Sequence, residues 1–146
     1  MSNRILPSQI LALDSNIFIS AFNAYTKPNP LGEKAQRILE EIKQASPQVF
    51  ISALVFEEFL VYFYKDDFSK DIGYYEEFIT GGGLFTVKDI DRNVARRAAW
   101  IRANFPSVRT PDAIHLASAL ESGAGIFITL DRRLPKKIGK ITINTL

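Results

Sequence analysis

With 146 residues, 47% of them apolar, and a net charge of +2, the chain can bury an ordinary core and is expected to fold as a single domain over residues 1–146. It has no cysteine, which excludes disulfides and thiolate metal sites and suits a reducing cytoplasm. The longest apolar run, around Phe50 to Tyr64, is broken by Glu57 and Glu58 and is too short to cross a bilayer, and no signal-like segment opens the chain, so no membrane partner is expected.

In chain order, Ile10 to Asp14 reads as a strand and Ser15 to Phe22 as a short helix, followed by a loop with Pro28 and Pro30. Leu31 to Ala45 has Ala35, Ile38, Leu39 and Ile42 at helical spacing. Gln48 to Ile51 is a second strand, and Ser52 is placed to cap a helix running to about Tyr64. Phe68 to Ile79 predicts another helix, stopped by Gly81-Gly82-Gly83, which lacks the Lys and Ser/Thr of a phosphate loop and reads as a turn before the strand Leu84 to Val87. Asp91 is the expected N-cap of a helix through Phe105 that buries Val94, Ala98, Ile101 and Phe105. Pro111 suits the first turn of a helix ending near Gly123, and Gly125 to Thr129 and Lys140 to Asn144 are the last strands. This alternation argues for a parallel sheet between helices.

Charge divides the chain. Residues 1–87 carry seven Lys/Arg against eleven Asp/Glu, and residues 88–146 carry eleven against five. The basic part includes Arg92, Arg96, Arg97, Arg102, Arg109, Arg132, Arg133, Lys136, Lys137 and Lys140, which either form a solvated surface or steer a polyanion.

Four acids stand out against this background: Asp14, Glu58, Asp112 and Asp131. Asp14 and Asp131 each end an apolar strand. If those strands are neighbours in a parallel sheet, both carboxylates share the carboxyl edge where open α/β sheets bind ligands. Like charges so placed raise one another's pKa unless a divalent cation neutralises them, and hard oxygen ligands favour magnesium or manganese. Taken singly, the acids have simpler readings. Asp14 and Asp131 could cap helices, and Asp112 could complement the dipole of the helix it begins. Glu58 is harder to explain that way, because its helix is apolar nearly all round; helix geometry sets it about 100° from Glu57, on a polar line with Tyr62 and Asp66. His115, the only histidine, falls three residues after Asp112 on roughly the same face, where a general-base role is not required if a metal activates water. Trp100 and the phenylalanines read as core, with exposed aromatics able to stack unpaired bases.

The segments LDSNIFI, ISALVFEEFL, RTPDAIHLASAL and FITLDRRL resemble, in order and approximate spacing, the four motifs of PIN domains, in a pattern similar to VapC-type toxins of bacterial toxin–antitoxin pairs. The resemblance runs from about Ile10 to Leu134. It implies a three-layer α/β/α fold with a central parallel sheet, and an Mg2+- or Mn2+-dependent endoribonuclease. The catalytic and metal-binding acids fall on Asp14, Glu58, Asp112 and Asp131, with Ser15, Asn16 and Thr129 supporting them or reaching the phosphate. Where many relatives have a further acid, this chain has Arg132 and Arg133, candidates for phosphate contact or ordinary surface residues. As partners the resemblance implies an RNA substrate, a small antitoxin protein and a second copy in a homodimer. The rival readings are a non-catalytic PIN-like module that binds RNA or protein, and a housekeeping RNA-processing nuclease without an antitoxin. A phosphoaspartyl phosphatase is disfavoured because Asn16 stands where a second Asp is needed.

Overall fold

A computed structural model describes residues 4–66 and 69–146. Strand β1 (Ile10–Leu13) leads into helix α1 (Ser15–Asn23), then α2 (Pro30–Ala45), β2 (Gln48–Ser52) and α3 (Leu54–Lys65). A 3-10 turn (Ser69–Asp71) precedes α4 (Ile72–Thr80), followed by β3 (Phe85–Lys88), α5 (Arg92–Asn104), α6 (Thr110–Glu121), β4 (Ile126–Thr129), β5 (Lys137–Ile138) and β6 (Ile141–Thr145). The expected start of the fourth helix at Phe68 lies outside the described residues.

The six strands form one sheet in the order β3-β2-β1-β4-β6-β5, parallel except for the pairing of β5 with β6. β5 was not evident in the sequence; two residues are too few to show a period of two. Alternate strand residues feed two cores. Leu11, Leu13, Val49, Ile51 and Ile128 pack with the side chains of α1 to α4, whereas Ala12, Phe127, Ile141 and Ile143 pack with α5 and α6. The sheet is therefore covered on both faces, the expected three-layer arrangement.

Local chemistry fixes the element ends. Asn29 caps α2 by accepting from the Gly32 N–H, and Asp91 caps α5 by accepting from Val94 N–H at 2.9 Å. Ser52 ends β2 and its hydroxyl accepts the Leu54 N–H, while Ala53 holds the cap position of α3. Gly81, Gly82 and Gly83 all have positive φ, so the turn after α4 needs glycine in succession. The abundance of aromatic residues in α3 and α4 is largely absorbed internally. Phe22, Phe59, Phe63, Tyr75 and Phe78 interlock edge-on or stacked, leaving Tyr62, Tyr64 and Tyr74 on the outside.

Candidate active site

The strand order reverses between β1 and β4. From β1 the chain builds outward through β2 and β3, then returns to lay β4 on the other side of β1. Leu13 is in register with Ile128, so Asp14 and Thr129 emerge side by side at the carboxyl edge, the place where open α/β sheets form a crevice. α6 runs back toward β4 and presents Asp112 from its first turn, and α3, following β2, contributes Glu58.

Asp14 is the most deeply set of the four acids, at 3% exposure. It occupies the N-cap position of α1, yet its side chain makes no capping bond there, so capping does not account for it. Its Oδ2 instead accepts from Thr129 Oγ1 at 2.7 Å and Asn16 Nδ2 at 3.1 Å, and Ser15 Oγ lies 3.4 Å from Oδ1. Thr129, fully buried, is the hub of this arrangement. Besides donating to Asp14, its hydroxyl accepts from Asn16 Nδ2 at 3.0 Å and from the Asp131 N–H at 3.0 Å. Asn16 completes the link between the two strand ends by accepting the Leu130 N–H through Oδ1.

Burial pushes the Asp14 carboxyl above its usual range and outweighs the bonds and the nearby His115 that favour its charge. Asp112 is also raised, first by burial and then by the charges of Asp14 and Asp131. The acids therefore share one electrostatic neighbourhood. Asp131 goes the other way: the bond from Arg133 lowers it, the guanidinium reaching both carboxylate oxygens at 2.9 Å. No helix follows Asp131; its carboxylate also accepts the Arg133 N–H, closing a turn. Arg132 is exposed and pairs with no carboxylate among the described residues.

His115 is the residue that sequence reasoning undervalued. It is only 3% exposed, and its Nε2 pairs with Glu58 Oε1 while Nδ1 is buried without a hydrogen-bond partner among the described residues. Burial disfavours the imidazolium, but Glu58, Asp14 and Asp112 together outweigh it and raise the His115 pKa. Burial likewise raises Glu58, and the bond and charge of His115 more than reverse that, leaving it lowered. The signal was present in the spacing Asp112–His115, which sets both on one face of α6. Glu57, its neighbour, is exposed.

The donor set fits a hard divalent cation: carboxylate oxygens without sulfur, two of them raised by burial and by neighbouring negative charge that a cation would relieve. As they stand, no three of these side chains among the described residues converge as ligands, because Glu58 faces His115 and Asp131 faces Arg133.

The PIN domain pattern matches residues 11–140, and the chain belongs to that family. No curated protein matches it in sequence. Among solved structures it is similar to VapBC2 from Rickettsia felis bound to a DNA fragment from their promoter, with a TM-score of 0.70 and 16% identity over 94% of this chain and 98% of that one. It is also similar to a toxin-antitoxin complex from Klebsiella pneumoniae, with a TM-score of 0.60 and 24% identity over 83% and 86% of the two chains. At these identities the likeness establishes the shared fold.

Proposed function

We propose that this chain is a divalent-metal-dependent endoribonuclease, hydrolysing RNA phosphodiester bonds as the toxin of a toxin–antitoxin pair. The observation that carries the reading is that Asp14, Asp112, Asp131 and Glu58 lie close enough to act on one another's charge, with Asp14 and Asp112 raised by burial and by neighbouring charge. Folding stability gains nothing from carboxylates held in that way, whereas a site for a cation does.

Asp14 and Asp112 would hold the ion, Glu58 would join them directly or through water, and Asp131 would complete the set. Bound magnesium or manganese supplies an acidified water and neutralises charge on the phosphate oxygens. Thr129, Asn16 and Ser15 orient Asp14. Arg133 holds Asp131 until substrate arrives, and Arg132 and Arg133 lie in the sequence next to the acids, suited to a phosphate. For Glu58 and Asp131 to serve as ligands, they must give up His115 and Arg133.

The toxin part of the reading is supported by the two structural neighbours, both toxin–antitoxin assemblies. It carries with it an antitoxin, a homodimer and a cytoplasmic setting in which residues 1–146 act as one PIN-like unit. No helix among the described residues is long and apolar enough to cross a membrane. The test is cleavage of RNA by the purified protein with magnesium, with manganese and in EDTA. Cleavage confined to the metal-containing reactions, and lost in Asp112→Asn, is the expected result; full activity in EDTA would refute it.

A further inference from the structure

Outside the acid pocket, the strongest unexplained feature is the outer face of α5. Its inner face is Val94, Ala98 and Ile101, all buried. Outward it carries Arg92, Arg96, Arg97 and Arg102 with no acid anywhere between residues 92 and 104. Among the described residues only Arg97 is neutralised, by Glu121 of α6 at 3.0 Å; Arg92, Arg96 and Arg102 pair with no carboxylate. Set in this basic face is Trp100, the only tryptophan of the chain, 44% exposed. Asn93 and Trp100 each stand three or four residues from Arg96 and Arg97, and these four with Glu121 line a shallow groove of ≈ 330 Å³, within the roughly 300–1,000 Å³ usual for ligand clefts.

We propose that this groove is a single-stranded RNA subsite, in which a base stacks on Trp100 and the flanking phosphates are held by Arg96 and, one turn further on the same side, Arg92. The choice of RNA rests on the nuclease reading above. Trp100 meets Phe105 edge-on but leaves much of its indole in solvent, and an indole among unpaired guanidiniums is the combination that stacks unpaired bases and tracks their backbone. Position supports it. α5 and α6 run antiparallel, since Arg97 meets Glu121 at the far end of α6 while the loop 105–109 returns the chain to Asp112. With about 1.5 Å of rise per residue, Arg97 lies on the order of 13 Å along α6 from Asp112. Arg109, at the start of α6, is near enough to Asp131 to favour its charge. A strand leaving the acids along α6 therefore meets Trp100, Arg96 and Arg92 in turn, and the groove would hold nucleotides a short way from the scissile bond.

The sole indole is its own reporter. Titrating the protein in EDTA with a mixed-sequence single-stranded RNA of about 12 nucleotides should quench Trp100 fluorescence. By anisotropy of labelled RNA, Trp100→Ala should weaken binding by about fivefold or more, and Trp100→Phe should restore most of it. Arg96→Ala and Arg92→Ala should each weaken binding and flatten its logarithmic salt dependence by about 0.7. Unquenched fluorescence, or unchanged affinity in Trp100→Ala, overturns the proposal. So does dissociation of a dimer by Trp100→Ala with RNA affinity intact, which would assign the face to a second copy. Equal binding of duplex DNA without quenching would reduce it to general electrostatics and overturn it as well. Quenching without magnesium-dependent cleavage would leave the subsite standing and refute the nuclease; cleavage with Trp100→Ala binding normally would do the reverse.

Discussion

Replacing Thr129 by valine tests whether one buried hydroxyl holds the site together. Valine keeps the branched shape and the strand preference but removes a group that donates to Asp14 at 2.7 Å and accepts from Asn16 and the Asp131 N–H. A hydrogen bond to a carboxylate contributes about 1.5–3 kcal/mol and a neutral one about 1 kcal/mol. Asn16 still reaches Asp14, and Asp131, nearer the surface, recovers part of its loss from water, so the net cost at neutral pH is about 2 kcal/mol. For a chain of this size that is a melting temperature lower by about 4–8 °C. The pH dependence has a definite sign. Asp14 is raised in the native state, so its ionised form costs stability at neutral pH, and that cost fades as pH falls through its native range toward the unfolded value. Losing the Thr129 donor raises Asp14 further, so the gap between variant and parent should be widest at neutral pH and narrow on acidification. Thermal unfolding in EDTA across the carboxylate range, with Thr129→Ser as the variant that keeps the hydroxyl, provides the measurement. Equal melting at neutral pH, or a deficit that widens as pH falls, would refute the reasoning.

Asp112→Asn should abolish cleavage while leaving the melting temperature in EDTA unchanged or higher at neutral pH, because it removes a carboxylate raised by burial and by Asp14 and Asp131; a clear loss of stability by calorimetric melting would count against that. Glu58→Gln should weaken manganese binding and cleavage by about tenfold or more, roughly 1.4 kcal/mol, and Glu57→Gln by much less, since Glu57 is exposed; isothermal titration giving the opposite order would misplace the second motif. Arg133→Ala should leave the melting temperature within about 1 kcal/mol of stability, because the pair is largely surface-exposed on the arginine side, while manganese titration shows tighter binding as Asp131 is freed; weaker binding would show that Arg133 orients Asp131 for the ion.

Asp14 was legible because a continuous apolar run that stops at an acid marks a buried parallel strand and the edge at which the acid emerges, whereas Asp131 stands two residues past the end of β4. Alternation of strand and helix likewise gave the layering, and Asp91 caps its helix as expected. What the sequence withheld is pairing across elements. Nothing in the chain order says that His115 of α6 meets Glu58 of α3, or that Arg133 folds back on Asp131. These depend on side-chain choices made only once the helices are docked. The apolar surplus of α3 and α4 was similarly ambiguous: periodicity cannot distinguish a face that needs a partner from one that stacks against Phe22, and the structure assigns most of it to the second case.

The Thr129–Asp14 bond joins residues 115 positions apart, and β4 is the strand that lies against β1. A chain emerging from the ribosome must expose an unpaired edge of β1 through the synthesis of everything from α1 to α6. Until Ile126–Thr129 has cleared the exit tunnel, Asp14 has neither its donor nor its neighbour Asp131, and no fragment ending before that point can assemble the acids. The order of translation therefore delays assembly of the acids: Asp14, its Thr129 donor and Asp131 come together only after β4 has been made.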